Sequence, residues 1–427
     1  MALDVLAYVL AGGKGTRLAP LTRDRGKPAV PIGSIHRVID FPLSNLYNSA
    51  IRKVAVLTQY EFFSTHEHIK HGWDRRFGIG RKEFITTVSA MQREKEDGWF
   101  EGTADAVMKN DRFIQENKEL DLVNIIGGDH IYFMDYSQMN DFHMDNSADL
   151  TISAIPVKRE LAAGNYGVLV VDKKGQLIGW EEKPENPTPM PGNEEYCLAS
   201  MGNYAFNPKQ LLVEFAIDRN KEQAISKEQV LENPNKYTSH DFGFDIIPSM
   251  LREEKRIFVY NLHDNIIPGM TEEERGYWRD IGTLDQTFQA NMEIRDTESP
   301  INMYNDEWEP FTHIESHRHS KIISTANNRG SLINSTIAPG VIISGADINC
   351  SVLGYETRIN EKSFLDHAVM LGYTQVGKNV KIKNAIVDRK VIIPDGETIG
   401  YDLEKDLARG FTISEGGITV VPRNYKF

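Results

Sequence analysis

The sequence predicts an α/β domain with a mostly parallel sheet followed by a solenoid of stacked β coils, because two different periodicities divide its 427 residues. In the first part, short apolar runs (Val5 to Val9, Lys53 to Thr58, Leu122 to Ile126, Leu150 to Val157, Tyr166 to Val171) alternate with helical patterns over Ile39 to Ala50 and Thr103 to Ile114. Such alternation builds a sheet from strand-helix-strand units. Asp172 to Gly175 reads as a hairpin turn before Gln176 to Trp180. In the last part, Ile337, Val352, Val369 and Ile386 recur at intervals of fifteen, seventeen and seventeen residues, and Ile359, Val376 and Ile393 form a second register. One triangular coil per period, with each inward aliphatic stacked on its equivalent in the next coil, accounts for both. Residues 296 to 330 are polar and irregular and read as a linker that packs on something. The expected boundaries are therefore 1–295, 296–330 and 331–427.

Composition excludes several classes. A formal charge of -13 argues against nonspecific binding to nucleic acid or an anionic membrane, which needs a basic face. Cys197 and Cys350 are the only cysteines, far apart in sequence, so no disulfide framework or cysteine zinc site is indicated. No basic segment with a long apolar run follows Met1, and no stretch approaches the roughly 18 apolar residues of a membrane span. A cytoplasmic location is expected.

Positive charge is concentrated near the start. Met1 to Ile35 holds five bases (Lys14, Arg17, Arg23, Arg25, Lys27) against two acids. There the first apolar run ends in L-A-G-G-K-G-T-R-L. Gly12, Gly13 and Gly15 let the chain turn sharply and bring backbone N–H groups to phosphate oxygens, and Arg17 and Lys27 add charge-assisted donors. The spacing fits neither the P-loop nor the dinucleotide fingerprint. Gly128-Asp129-His130 follows the run Leu122 to Ile126, which places Asp129 at a carboxyl end of the sheet, where open α/β folds bind ligands. Tyr277-Trp278-Arg279-Asp280 brings a second aspartate to the start of another helix. Two carboxylates beside a polyphosphate suit Mg²⁺, a hard ion that takes oxygen ligands. Glu182-Lys183-Pro184 ends the hairpin strand, with Lys183 placed to pair with a second phosphate and Glu182 to accept from sugar hydroxyls.

These segments, with Ile39-Asp40-Phe41, Thr58-Gln59-Tyr60, Gly102-Thr103-Ala104-Asp105-Ala106-Val107, Ser239 to Gly243 and the periodic tail, occur in an order that resembles the bacterial glucose-1-phosphate adenylyltransferases, over essentially the whole chain. The resemblance implies a Rossmann-like nucleotidyltransferase domain followed by a left-handed parallel β-helix of hexapeptide repeats, Mg²⁺ as cofactor, and a homotetramer making ADP-glucose and diphosphate from ATP and glucose 1-phosphate. Matching positions then imply roles. Arg17 and Lys27 neutralise the phosphates, and Asp129 and Asp280 hold the metal. Gly12, Gly13, Gly15, Thr16, Gln59, Trp99 and Gly102 take the nucleotide; Phe100, Gly167, Glu182, Lys183 and Ser200 take glucose 1-phosphate. Two alternatives stay open: a non-catalytic regulatory subunit, and a nucleotidyltransferase of another base specificity.

Departures from the family pattern bear on regulation. Asp24 stands where relatives activated by fructose 1,6-bisphosphate carry a lysine, and Pro31 replaces a histidine of the same pocket. Phe100 replaces a tyrosine that touches glucose 1-phosphate. Arg25, Arg37, Arg389, Arg423 and Lys426 keep a basic cluster, so an anionic allosteric effector is expected, though not that bisphosphate. A hexapeptide solenoid can itself carry a catalytic histidine; His367, the only histidine in the repeats, reads as a surface or corner residue.

Overall fold

A computed structural model describes the chain except for residues 1–2, 79, 81, 91–97, 297 and 327, with the backbone alone at 227. Nine strands form one sheet: β1 (Val5–Ala11), β2 (Lys53–Thr58), β3 (Phe84–Ser89), β4 (Leu122–Gly127), β5 (Leu150–Lys158), β6 (Gly167–Val171), β7 (Leu177–Glu182), β8 (Tyr196–Phe206) and β9 (Ile257–Asn261). Their order is β7-β6-β8-β4-β1-β2-β3, with β5 on β8 and β9 on β5. The strands β4, β1, β2 and β3 run parallel, whereas β8 is antiparallel to β4, β5 and β6. The expected hairpin is the β6–β7 pair.

Side-chain alternation along β1 serves both faces of the sheet. Leu6 and Tyr8 pack with Ala104 and Val107 on one side; Ala7 and Val9 pack with Ile39 and Leu43 on the other. The second helical pattern is broken into Thr103–Met108 and Arg112–Gln115. The freed carbonyls are satisfied from outside the helix: the Tyr8 hydroxyl donates to Asn110 O at 2.8 Å and Arg219 to Met108 O at 2.7 Å.

The linker does pack, against the helix Asp40–Asn48. Buried Asp40 accepts from the Arg37 amide, Trp73 Nε1 and Thr312 Oγ1, and it bonds His68 Nε2. Burial alone would raise the Asp40 pKa, but His68 beside it holds the carboxyl below its ordinary value. Trp308 Nε1 reaches Asn45 and Phe311 N reaches Ser44, so the linker is strapped to the first domain by side-chain bonds rather than by a sheet.

Parallel rungs form the tail, and the first lies inside the stretch expected to be linker: Lys321–Ile323 pairs with Ile342–Ser344. The second register is inward as expected, with Ile359, Val376 and Ile393 buried in the solenoid core. The first register is corrected. Thr336 sits on Val352 and Ile337 on Leu353, an offset of one residue from the spacing read in the sequence. Ile337 packs toward the solenoid interior with Leu353, Met370 and Val387. Val352, Val369 and Ile386 instead face out of the coils into a core shared with Leu284, Ala290 and Ile294 of the helix Leu284–Arg295. Neighbouring residues on a strand point to opposite sides, so each Val-Leu, Val-Met and Ile-Val pair fills two cores at once.

Candidate active site

Because β1 and β4 are parallel neighbours, their carboxyl ends lie side by side. The Gly128 amide donates to Leu10 O at 2.9 Å, and a Cβ on Gly128 would meet that oxygen at 2.9 Å, so only glycine permits this approach. Asp129 follows directly. Asp280 arrives on a short strand, Trp278–Asp280, antiparallel to His130–Tyr132 with Asp280 opposite His130; the helix starts later, behind the Thr283 cap. The two aspartates therefore meet although they stand 151 positions apart in the sequence.

Lys27 joins them. Its Nζ donates to Asp129 Oδ2 at 2.7 Å and to Asp280 Oδ1 at 2.9 Å. Burial opposes the ammonium's charge, but the two carboxylates hold its pKa above the ordinary value. In turn burial would raise the Asp129 pKa, and Lys27 followed by His130 pulls it well below the carboxylate range. Asp129, His130 and Asp280 each offer a donor atom within 4.8 Å of the others. Lys27 leaves Asp129 Oδ1 and Asp280 Oδ2 free of its own bonds, so the donor set fits a hard divalent ion.

Two cavities open from this centre. One, of about 480 Å³, is lined by Gly12, Gly13, Gln59, Phe100, Gly102 and Asp129. The other, of about 230 Å³, is lined by Tyr166, Gly167, Glu182, Ser200, Trp278 and Asp280. His130, Thr103, Gly202, Tyr204 and Asp241 border both. Phe100, expected with the sugar group, lies on the side of Gly12: the Gln59 amide clamps its backbone, accepting from Phe100 N at 2.5 Å and donating to Phe100 O at 3.2 Å. Trp99 is exposed and stacks on Tyr60 at 4.8 Å between ring centres, with Lys14 over the other ring at 4.9 Å. Gly15 adopts φ 61°, and Thr16 and Arg17 stand exposed on the turn after it. Lys183 is half exposed at the end of β7, its Nζ 3.9 Å from Glu182 Oε1.

Other site residues become visible only in three dimensions. A Cβ on Gly102 would fall 2.1 Å from His240 O, and Thr103 Oγ1 donates to Asp241 Oδ2 at 2.8 Å. The G-T-A-D and S-H-D-F-G segments are thus one structural unit, and Asp241 and Thr103 join the site through it. His130 packs on Trp278, 5.0 Å between ring centres, and Trp278 packs on Tyr166 at 5.5 Å.

The basic residues expected at an effector site divide. Arg25 is spent on a buried ion pair with Asp388 of the solenoid, 2.7 Å. Arg37 donates to Ser64 O; burial, then Arg389 nearby, pushes its pKa down to about 10. Arg389 donates to Leu371 O and its pKa is lowered by burial and by Arg25. The amide of Asn424, beside Arg423, donates to Arg389 O, and Arg423 Nε is buried with no hydrogen-bond partner among the described residues. Lys426 bridges Ile392 on the neighbouring coil.

A β1 glycine loop, a pair of carboxylates at the ends of the sheet and a hexapeptide tail define a nucleotidyltransferase. Residues 6–297 match the nucleotidyl transferase family model and residues 319–421 that of the GlmU-like C-terminal hexapeptide. Enzymes of the former family generally use a divalent metal. Within it, the chain is 43% identical over 422 residues to the glucose-1-phosphate adenylyltransferase of Geobacter metallireducens, covering 99% of this chain and 98% of that one. It is 42% identical to that of Trichlorobacter lovleyi, covering 98% and 97%, and 41% identical to that of Deinococcus radiodurans, covering 99% of both. The chain belongs to the glucose-1-phosphate adenylyltransferase family.

Proposed function

We propose that this protein transfers the adenylyl group of ATP to α-D-glucose 1-phosphate, giving ADP-glucose and diphosphate for glycogen synthesis. The observation that carries the reading is the meeting of two cavities at one charged centre, the larger ending at Asp129 and the smaller at Asp280. ATP takes the larger. Gly12, Gly13 and Gly15 turn the backbone under its phosphates, Gln59 and Gly102 border the base, and Trp99 on Tyr60 edges the entrance. Glucose 1-phosphate takes the smaller, with Gly167, Glu182 and Ser200 on the hexose and Lys183 swinging from the rim to its phosphate.

A phosphate oxygen of the sugar attacks the α-phosphorus in line, and diphosphate leaves on the opposite side. The O–P bond to the sugar phosphate forms as the bond to diphosphate breaks, with no proton transfer required. The residues act by positioning and by charge. Arg17 follows the departing diphosphate, and Lys27 neutralises the α-phosphate. Asp129 and Asp280 would hold Mg²⁺, which supplies charge neutralisation at the phosphates. With Lys27 anchored to both carboxylates, its ammonium is fixed before substrate arrives.

An anionic effector binds near Arg37, Arg389 and Arg423, where the partly buried Arg37 lies close enough to Arg389 for its pKa to be lowered by it; Arg25 and Lys426 frame the site, and the chains assemble as a homotetramer. Diphosphate release from glucose 1-phosphate with each of the four nucleoside triphosphates tests the central reading. ATP should be preferred, and equal rates with all four, or none with any, would refute it.

A further inference from the structure

The solenoid carries a group of donors that the reaction does not use. Asn349 pairs with Asp366 and Val352 with Val369, so the residue after Asn349 stands over the residue after Asp366: Cys350 over His367, one strand spacing apart, about 4.8 Å. This corner repeats up the coils as Asn334, Cys350, His367 and Asn384, all with left-handed backbone, φ 44° to 49°. Asparagine suits that conformation, and histidine tolerates it. Cysteine gains nothing from it, yet occupies the corner next to histidine.

We propose that Cys350, Asp366 and His367 form a binding site for zinc or a similar thiophilic divalent ion. Their donor atoms all lie within 4.8 Å of one another. His367 Nδ1 and Asp366 Oδ1 are 3.0 Å apart, close to the roughly 3.3 Å between two ligands on a tetrahedral ion with bonds of about 2.0 Å. The ion takes the place of the hydrogen now shared between those atoms. Asn349 Nδ2 donates to Asp366 Oδ1 at 2.7 Å and orients the carboxylate, as outer partners of metal ligands do. Cys350 also lines a cavity of about 770 Å³ shared with Arg295, Asp296, Ser299 and Asn302, which gives an ion a way in; water completes the coordination. Thiolate and imidazole ligands select zinc over magnesium, so the site is chemically distinct from Asp129 and Asp280. The ion would staple two successive coils.

The full chain, stripped of metal and titrated with Co²⁺, tests this. A thiolate-to-cobalt charge-transfer band in the near ultraviolet should appear and be displaced by Zn²⁺. Cys197 is buried and Asp129, His130 and Asp280 hold no sulfur, so the band reports Cys350 alone. It should vanish in Cys350→Ser, and His367→Asn should weaken cobalt binding at least tenfold. That variant places at the corner the residue found above and below it, and its metal-free unfolding midpoint should match wild type. Absence of the band, its persistence in Cys350→Ser, or undiminished affinity in His367→Asn would overturn the proposal.

Discussion

Replacing Arg25 with methionine removes one side of the ion pair that ties the first domain to the solenoid. Its partner Asp388 is 1% exposed and has Arg25 Nη2 at 2.7 Å and the Arg389 amide at 2.6 Å, both on Oδ1. Asp388 Oδ2 and Arg25 Nη1 are buried with no hydrogen-bond partner among the described residues. The pair is thus half satisfied, and its net worth against an apolar replacement is small. Breaking it from one side is a different matter, because a buried carboxylate is left with one amide. The usual cost is about 3–5 kcal/mol, and the retained amide puts the expected loss at about 3 kcal/mol. The double variant Arg25→Met/Asp388→Leu should recover to within about 1 kcal/mol of wild type, a coupling of roughly 2 kcal/mol or more. Urea unfolding measures this with two probes. Tryptophan fluorescence reports the first domain and the linker, since Trp73, Trp99, Trp180, Trp278 and Trp308 all precede the solenoid; amide exchange reports the coils. Additive losses in the double variant, or an Arg25→Met loss below about 1 kcal/mol, would refute the account.

Asp129→Asn should lower turnover by orders of magnitude with the fold intact; near-normal rates would remove it from the metal site. Lys183→Gln should raise KM for glucose 1-phosphate far more than KM for ATP, and equal changes in the two would move Lys183 out of the sugar site. His143 is buried, which lowers its pKa to about 4 from 6.5. The unfolded chain therefore takes up a proton that the folded chain refuses between those values, so stability is full above pH 6.5 and falls as pH drops toward 4. The loss at pH 5 is about 2 kcal/mol. Burial shifts His36, His68 and His313 the same way, so urea unfolding at pH 7 and pH 5 should show at least that loss in wild type and a loss smaller by about 2 kcal/mol in His143→Gln. Initial rates at subsaturating ATP should respond weakly or not at all to fructose 1,6-bisphosphate, because Asp24 is exposed with reversed charge. Strong activation at micromolar levels would show that other groups replace the missing lysine.

Six of the nine strands are legible as apolar runs with clear ends, and the glycine loop and Asp129 because both fall where a strand stops; Phe84–Ser89, Tyr196–Phe206 and Ile257–Asn261, which mix polar residues among the apolar ones, are not. Asp280 was legible as a residue but not as a strand, since its three-residue strand acquires meaning only opposite His130. The resemblance puts Phe100 with glucose 1-phosphate, whereas in the structure it lines the larger cavity, because Gln59, just past the end of β2, clamps its backbone. The outward seam of Val352, Val369 and Ile386 misled for a related reason. Periodicity reports that residues stack on their equivalents and is silent about which side of the strand is solvent, interior or a neighbouring domain. Cys350 and His367 are likewise distant in sequence and adjacent only through coil register.

That seam also sets how the molecule can be rebuilt. The helix Leu284–Arg295 begins four residues after Asp280 and sits in a core to which the first domain gives Ile32 and Ile131 and the solenoid gives Val352, Val369 and Ile386. Removing the solenoid would expose its share of that core and leave the helix that follows Asp280 packed on one side only. The two halves are therefore not interchangeable cassettes: a transplanted solenoid would need to bring a matching aliphatic wall before Asp280 could keep its place.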